Sequence, residues 1–178
     1  MEYGIGRILI SEDKLKEKVA ELGARIRRDY RGQQVIFVCV LKGAVVFLSD
    51  LVREVGPEVD VRLDFLAISS YGASTKSSGV VKIQKDLSSD IHGRHVIIVE
   101  DILDTGLSLS YISKLLLERD PASLEICVLL DKAERRTQPV EVKYTGFTIP
   151  DEFVIGYGLD YAAQFRQLPA IHIAEPLE

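Results

Sequence analysis

The sequence predicts an α/β fold, in which helices pack on a central, mainly parallel β-sheet. Three largely apolar runs support this prediction, at Val35–Leu41, Val96–Val99 and Leu124–Leu130. Their content of valine, isoleucine and leucine is typical of strands that are buried on both faces of a parallel sheet. The first two runs are each followed by apolar residues at helical spacing. A chain of 178 residues suits one domain, which we place at residues 1–178.

Composition excludes several classes of protein. With 47% hydrophobic and 28% charged residues, the chain resembles neither a disordered protein nor a membrane protein. No run approaches the roughly 18 apolar residues that a membrane span needs. Residues 1–7 lack the basic-then-apolar layout of a signal peptide, so we expect a cytoplasmic protein. The net charge of −5 argues against nucleic-acid binding by counterion release.

The first predicted helix follows Ser11. This residue is a candidate N-cap, and acidic residues at the next two positions favour the positive end of a helix dipole. Apolar residues then recur every three or four positions, at Leu15, Val19, Leu22, Ile26 and Tyr30. Gly32 is the candidate terminator. We expect an amphipathic helix that packs on the core.

The strand at Val35–Leu41 ends at Lys42 and Gly43, and a helical pattern closed by Gly56 comes next. Open α/β sheets bind ligands at the carboxyl ends of their central strands. Lys42 and Gly43 are therefore candidate ligand-binding residues. Taken alone, Lys42 also fits an exposed lysine in an ordinary loop.

The segment Val59–Ile68 begins with alternating apolar and polar residues, which predicts a strand nearer the edge of the sheet. Ser69–Gly79 has no periodicity and almost no apolar residue, so it is predicted to be a mobile loop. A linker and an active-site lid both fit this composition. The single-domain length favours a lid at about residues 69–81, with Val80–Leu87 as the returning strand.

The most informative segment is Val96–Ser110. Its strand ends in two adjacent carboxylates, Glu100 and Asp101, and a third follows at Asp104. The turn Thr105–Ser108 leads into a helix, and such a turn offers N–H groups and hydroxyls to a phosphate. The carboxylates would repel a phosphate unless they face a sugar's hydroxyls, a divalent cation or a proton to be removed. We therefore predict a site for a phosphorylated sugar with a metal; the simpler alternative is an acidic loop that only caps a helix.

A charged segment, Asp131–Arg136, follows the strand at Leu124–Leu130. Lys132 again stands just past the carboxyl end of a strand. Arg135 and Arg136 are interpreted as solvated surface charges. The two cysteines, Cys39 and Cys127, lie in apolar runs, so we expect core residues rather than a zinc site or a disulfide.

The segment Glu100–Gly106 resembles the phosphoribosyl-diphosphate signature of the type I phosphoribosyltransferases. The nucleotide-binding P-loop and the dinucleotide-binding glycine fingerprint are both absent from this turn. The resemblance runs from about Val35 to Arg166. Four other segments resemble the hypoxanthine-guanine members of the family. These segments are Val40–Gly43, Ser70–Tyr71, Lys132 and Gly146–Arg166.

The resemblance implies the type I phosphoribosyltransferase fold. A core at about residues 33–145 would be covered by a small hood from about residues 1–10 and 146–178. A flexible active-site loop, headed by Ser70 and Tyr71, would close over the site. Because the reaction builds a cationic sugar centre, a lid that excludes water makes chemical sense.

The resemblance also implies which residues bind the sugar diphosphate. The 5′-phosphate is expected at Asp104, Thr105, Gly106, Leu107 and Ser108. The diphosphate is expected at Lys42, Gly43 and Arg166, with a strained peptide between Leu41 and Lys42. Glu100, Asp101 and Asp160 are the expected metal residues, with Mg²⁺ as the cofactor. Asp104 is the expected general base.

The purine is expected to contact Lys132, Phe153, Val154 and Asp160. By resemblance, Lys132 donates to the 6-oxo group, which would discriminate 6-oxopurines from adenine. Phe153, which also fits an ordinary core position, would stack on the ring, and the backbone of Val154 would read the base edge. Some members carry lysine where this chain has Glu152. Contacts through that side chain are therefore not carried over.

The expected activity is the transfer of a phosphoribosyl group from phosphoribosyl diphosphate to hypoxanthine or guanine, a step of purine salvage. Two alternatives remain, a phosphoribosyltransferase that prefers xanthine and a nucleotide-binding regulator of the same fold. The acidic net charge and the enzyme-like base-binding segments disfavour the regulator. We expect no nucleic-acid or membrane partner, and a homodimer or homotetramer as in the family.

Overall fold

The computed structural model describes residues 2–70 and 81–177. Its central sheet has six strands in the order β4-β3-β2-β5-β6-β7. Neighbouring strands run parallel except for β4, which pairs antiparallel with β3 at one edge. The predicted α/β fold with a mainly parallel sheet is confirmed. The strands are β2 (Gln34–Leu41), β3 (Asp60–Ser70), β4 (Val81–Lys85), β5 (His95–Leu103), β6 (Ser123–Asp131) and β7 (Tyr144–Thr148).

Helices cover both faces of this sheet, because alternate side chains of the central strands point to opposite faces. In β2, Val35, Phe37 and Cys39 belong to one core cluster, which includes the buried residues of α1 (Glu12–Asp29) and α2 (Val45–Val55). The intervening β2 residues belong to a second cluster with α3 (Leu107–Leu117). The uninterrupted apolar run of β2 therefore contributes side chains to both hydrophobic cores, one on each face of the sheet.

The first helix begins and ends close to where the sequence predicts. The Ser11 side chain accepts a hydrogen bond from the Lys14 N–H at 3.4 Å, so it is the N-cap, and the C-cap is Tyr30. Cys39 and Cys127 are buried and free, as expected, and burial raises the pKa of the Cys39 thiol to about 12. Among the described residues, no helix is both long and apolar enough to cross a membrane.

The carboxyl ends of β2 and β5 lie side by side in the middle of the sheet. The chain leaves β2 through α2 toward β3, whereas it leaves β5 through α3 toward β6, on the opposite side. The strand order therefore reverses between β2 and β5, and a crevice opens there at the carboxyl edge. Ligands bind at such switch points in open α/β sheets.

A second, antiparallel sheet joins the two ends of the chain in the order β1-β9-β8. Its strands are β1 (Tyr3–Ile10), β8 (Val154–Ile155) and β9 (Ile171–Pro176). This sheet corresponds to the expected hood. The expected core boundary near residue 145 is a few residues too early, because β7 pairs with β6 through Thr148 and so belongs to the large sheet. Ser70 ends β3, while Tyr71 and most of the expected lid lie outside the described residues.

The alternating pattern at the start of β3 predicts the strand correctly, but it does not predict which side chains of the strand are buried. Asp64 is only 3% exposed, whereas Leu63 beside it is 46% exposed. The Asp64 carboxylate accepts hydrogen bonds from the N–H groups of Phe65, Ser88 and Ser89. Burial alone would raise the pKa of Asp64, but these N–H groups outweigh it and hold the pKa below its ordinary value. A buried carboxylate thus fixes the turn that follows β4.

We expect Asp64→Asn to lower the free energy of unfolding at pH 7 by about 2–3 kcal/mol, since it removes charge-assisted hydrogen bonds in a buried place. The lowered pKa of Asp64 means that this stability is present above about pH 4 and is lost as pH falls through the folded-state pKa. Urea denaturation followed by circular dichroism at pH 7 and pH 3 measures both effects.

The matched control is Asp60→Asn on the same strand, where an exposed carboxylate contacts Gln34 and Arg62. A smaller loss is expected there. Equal losses in the two variants, or a loss in Asp64→Asn that is unchanged at pH 3, would contradict the role of Asp64.

Candidate active site

Three loops meet at the crevice between β2 and β5. A Cβ added to Gly43, just past β2, would overlap the carboxylate of Asp101 on β5. A Cβ added to Gly158 would overlap the carbonyl oxygen of Gly43. The peptide bond between Leu41 and Lys42 is cis. The backbone of Gly43 therefore contacts the side chain of Asp101 directly, and only glycine fits at position 43.

The turn after β5 surrounds a cavity of about 310 Å³, lined by Glu100–Gly106, Ser108 and Leu109. Gly106 is the N-cap of α3 with φ +86°, and it forms no side-chain cap. The Thr105 hydroxyl accepts a long hydrogen bond from the Leu107 N–H at 3.4 Å. Within the described ranges, the N–H groups of Thr105 and Gly106 have no protein acceptor. Such a turn at a helix N-terminus provides donors for an anion, as the sequence predicts.

Glu100 and Asp101 form a buried pair of carboxylates at the end of β5. The Glu100 carboxylate accepts the Asp101 N–H at 3.1 Å, and the Asp101 carboxylate accepts the Ile102 N–H at 2.8 Å. Burial raises the pKa of Glu100 well above its ordinary value, and the neighbouring charge of Asp101 adds to this. Burial also raises the pKa of Asp101, although the positive charge of Arg166 opposes the change. The hydrogen bonds and Arg166 thus offset the burial of this carboxylate pair only in part.

The donor set fits a magnesium ion that is shared with a substrate. Within residues 2–70 and 81–177, no three His, Cys, Asp or Glu side chains form a complete metal-binding group. Magnesium in proteins is commonly held by one or two carboxylates, while substrate phosphates and waters complete its octahedron. Glu100 and Asp101 match that requirement, because both line the first cavity and burial raises the pKa of each carboxylate.

Asp104 stands between two cavities. It lines the first cavity and also a second one of about 270 Å³, whose other lining residues include Lys132, Phe153, Val154 and Asp160. The Nε of Arg135 lies 3.0 Å from Asp104 Oδ1, although the geometry is not that of a hydrogen bond and this oxygen has no hydrogen-bond partner among the described residues. Asp104 Oδ1 is thus paired with Arg135, and the carboxylate stands where the two cavities meet.

The second cavity has a flat aromatic wall and one buried cation. Phe153 is 42% exposed, and its ring contacts the rings of Tyr3 and Tyr161 edge-on, with centroids 5.1 Å and 6.0 Å away. Lys132 is only 6% exposed, and its Nζ lies 3.7 Å from Asp151 Oδ1. An exposed ring face beside a partly neutralised ammonium suits a flat heterocycle that carries a hydrogen-bond acceptor.

Asp160 and Arg166 form an ion pair on the far side of this cavity. Arg166 Nη2 lies 2.7 Å from Asp160 Oδ1, and the Ala163 N–H donates to Asp160 Oδ2 at 2.7 Å. Arg166 also donates to the carbonyl oxygen of Gly158 at 2.6 Å. Since Gly158 contacts Gly43, this arginine stands beside the Lys42–Gly43 segment where the resemblance places it.

The structure therefore brings the predicted residues to one edge of the sheet, with the exception of the lid. Ser70 is at the end of β3, and Tyr71 lies outside the described residues. Glu152 is partly exposed beside Phe153.

Sequence reasoning missed the contacts of three residues, Tyr3, Arg135 and Arg136. The interpretation of Arg136 as a solvated charge is wrong, because its guanidinium pairs with Asp131 and its Nε donates to the carbonyl oxygen of Asp104 at 3.1 Å. Arg135 pairs with both Asp104 and Asp151. The position of Arg135 and Arg136 just past the carboxyl end of β6 could have indicated from the sequence that they lie near the site. For Tyr3 the sequence offered no such indication, because its partners are distant in the chain.

Comparisons with known proteins agree on one family. Residues 10–162 match the phosphoribosyl transferase domain family. The hypoxanthine-guanine phosphoribosyltransferase of Mycobacterium tuberculosis is 47% identical over 178 residues, covering 97% of this chain and 87% of the relative. The Streptococcus pneumoniae protein of the same name is 44% identical over 173 residues, with coverages of 97% and 95%. A crystal structure of a hypoxanthine-guanine phosphoribosyltransferase from Bacillus anthracis has a TM-score of 0.91 at 43% identity, covering 98% of this chain and all of that one.

Gly106→Ala is expected to abolish binding of ribose 5-phosphate, measured by calorimetry. At φ +86° the new Cβ would overlap the carbonyl oxygen of Gln138 and lie 3.0 Å from Arg136 Cδ, so the turn must move. Gly93→Ala is the matched control, because Gly93 has φ +65° with nothing within 4 Å of the added Cβ. Gly93→Ala introduces only backbone strain, which lowers stability by about 1 kcal/mol. Equal ribose 5-phosphate affinity in both variants would contradict the assignment of this turn.

Proposed function

The chain belongs to the phosphoribosyl transferase domain family, and from that premise we propose that it transfers the phosphoribosyl group of 5-phospho-α-D-ribose 1-diphosphate to N9 of hypoxanthine or guanine. The products are the nucleoside 5′-monophosphate and diphosphate. The curated relatives at 44–47% identity carry the name hypoxanthine-guanine phosphoribosyltransferase. Salvage of purine bases is the corresponding role.

One observation carries this proposal, namely that Asp101, Ile102 and Asp104 line both cavities. A substrate phosphate in the first cavity and a base in the second would be joined across these residues. The reacting carbon of the sugar would then lie beside Asp104. A nucleotide-forming enzyme needs this arrangement, because both reactants must be held in contact.

The turn Thr105–Ser108 would hold the 5′-phosphate through its N–H groups and hydroxyls. This fixes the sugar so that its anomeric carbon faces the base cavity. Asp104 would act as general base and take the proton from N7 of the purine as N9 bonds to the sugar. The position of Asp104 between the two cavities supports this role.

The departing diphosphate would be stabilised by Lys42, Gly43 and Arg166. The backbone of Lys42 and Gly43 and the guanidinium of Arg166 approach it from the loop side. When bound, magnesium supplies positive charge that neutralises the diphosphate as it leaves. Glu100 and Asp101 would hold that ion and the ribose hydroxyls, and Asp160 would contribute to a second magnesium position near the base.

The second cavity would select a 6-oxopurine. Lys132 would donate to the 6-oxo group, and adenine offers an amino group there that cannot accept this hydrogen bond. The ring of Phe153 would stack on the base, while the backbone of Val154 reads its edge. The edge-on contacts from Tyr3 and Tyr161 support this role, because they leave the Phe153 ring partly exposed on the cavity.

The remaining parts of the proposal concern the whole protein. We place one catalytic domain at residues 1–178, with Ser70 and Tyr71 at the head of a lid that excludes water from the cationic sugar centre. The enzyme would work in the cytoplasm as a homodimer or homotetramer.

The first test offers hypoxanthine, guanine, xanthine and adenine separately with phosphoribosyl diphosphate and magnesium, and follows nucleotide formation by ultraviolet absorbance. Hypoxanthine and guanine are expected to react, adenine is expected to be inert, and omission of magnesium is expected to stop turnover. Preference for xanthine would revise the base assignment. If no base reacts while the sugar diphosphate still binds, the proposed activity is wrong, and the chain would instead be a nucleotide-binding regulator.

Asp104→Asn is expected to lower kcat by about 10²–10⁴-fold, since it removes the general base, while the Kd for phosphoribosyl diphosphate changes little. Steady-state kinetics and calorimetry measure the two quantities. Asp120→Asn serves as the control, because Asp120 has φ +53°, a conformation that asparagine also adopts, and its side chain is 86% exposed. Normal turnover in Asp104→Asn would remove Asp104 from the mechanism.

A further inference from the structure

The segment Arg135–Gln138, which we call the strap, lies against the phosphate turn and does not itself line the first cavity. The carbonyl oxygen of Thr105 accepts hydrogen bonds from the N–H groups of Thr137 and Gln138, at 2.9 Å and 3.0 Å. The Thr137 hydroxyl donates to the same oxygen at 3.2 Å. The Nε of Arg136 donates to the carbonyl oxygen of Asp104 at 3.1 Å. Two successive peptide units of the turn are thus bound through their oxygens.

Binding the oxygen of a peptide unit also fixes the direction of its N–H. A trans peptide is planar, and its C=O and N–H point in opposite directions. Because the oxygen of Asp104 points to Arg136, the N–H of Thr105 points away from the strap, toward the cavity. Because the oxygen of Thr105 points to Thr137 and Gln138, the N–H of Gly106 does the same. Hydrogen bonds to the oxygens also polarise these peptides, which strengthens the N–H groups as donors.

The strap and the turn are in van der Waals contact, so the arrangement is rigid. A Cβ on Gly106 would overlap the oxygen of Gln138, and it would lie 3.2 Å from Val140 Cγ2. No side chain separates the two segments at this point. A movement of the strap would therefore be transmitted to the turn directly.

Arg136 is itself fixed by Asp131 at the end of β6. Its Nη2 pairs with Asp131 Oδ1, and the two side chains are 21% and 22% exposed. With Nη2 on Asp131 and Nε on the oxygen of Asp104, the planar guanidinium spans a strand end and the turn. Lysine lacks this fork of donors and carries a single ammonium in its place. Neither Arg136 nor Asp131 lines the phosphate cavity.

We propose that Arg136, held by Asp131, is a positioning residue that aims the Thr105 N–H of the phosphate turn at the 5′-phosphate. This inference rests on the proposed function, which places that phosphate in the turn. Arg136 acts through the backbone of Asp104 and Thr105 and does not touch the substrate. Its contribution is therefore to phosphate affinity and not to the affinity for the base.

The experiment compares Arg136→Ala, Arg136→Lys and Asp131→Asn with the wild type, with Arg25→Ala as a matched control. Arg25 is also a partly buried arginine that donates to a backbone oxygen, that of Lys143 at 3.0 Å, but far from the turn. The readouts are the KM for phosphoribosyl diphosphate, the KM for hypoxanthine and the Kd for ribose 5-phosphate from calorimetry. Thermal denaturation reports on folding.

Arg136→Ala is expected to raise the KM for phosphoribosyl diphosphate and the Kd for ribose 5-phosphate by about 10- to 100-fold, with the KM for hypoxanthine within about twofold of wild type. Arg136→Lys keeps a positive charge for Asp131 but lacks the fork, so a rise of about 3- to 10-fold is expected. Arg25→Ala is expected to leave all three constants unchanged.

Asp131→Asn separates positioning from simple attraction of the phosphate by a positive charge. Removing a negative charge near the turn would tighten binding of an anion if attraction alone mattered, whereas loss of the anchor weakens binding by about 3- to 10-fold if Arg136 positions the turn. Tighter ribose 5-phosphate binding in Asp131→Asn would overturn the proposal. So would equal rises of both KM values in Arg136→Ala.

The proposed function and this inference fail in different ways. A wild type without turnover on any base contradicts the proposed function, while the ribose 5-phosphate measurements still test the role of Arg136. An active wild type with unchanged phosphate affinity in Arg136→Ala contradicts the inference alone. If Arg136→Ala does not fold, Arg136→Lys decides, because a merely structural role predicts no change in its phosphate affinity.

Discussion

The parallel pairing of β2 with β5 is the constraint on which the rest of the structure depends. The pairing runs from Val35 with His95 to Cys39 with Val99, so Leu41, the last residue of β2, lies at the level of Asp101 on β5. That register places Gly43 against Asp101, two residues from opposite sides of the strand-order reversal. A one-residue slip would exchange the faces of every side chain in the strand. Because both faces are packed against helices, the core clusters fix the register and the register fixes the site.

The buried charge of the site is the second consequence of this geometry. Glu100 is only 8% exposed near the carboxyl end of β5, and it lines the cavity with Asp101 next to it. Such a pair would be unfavourable in a core that served stability alone. The strands that hold it are apolar on both faces, so the fold itself tolerates the cost. A cation bound with substrate would complete the electrostatics, and the same carboxylates would then contribute to binding.

The sequence predicted those parts of the structure that local pattern determines. Apolar runs predicted the central strands, and the residues that follow these strands included the candidates Lys42, Asp104 and Lys132. The expected roles of Lys42 and Lys132 came from the family resemblance. Local pattern could not predict contacts between segments that only the fold brings together. Arg136 looked like a surface charge because its partner Asp104 is 32 positions away. Asp64 alternates like an exposed residue, yet the turn at Ser88 covers it. Neither fact is visible until the strands are placed.

The two ends of the chain close the base cavity by the same principle. Tyr3 lies on β1, and Phe153 directly precedes β8, with β9 between these two strands in the small sheet. The Phe153 carbonyl accepts the Ala174 N–H on β9 at 2.7 Å, which fixes the backbone of Phe153 while Tyr3 fixes its ring. The Phe153 side chain stays 42% exposed and lines the second cavity, so its ring is accessible for stacking on a base. The small sheet thus orients one aromatic side chain, in the way that the strap orients two peptide groups. In both cases residues that do not line the cavity help to orient residues that do line it.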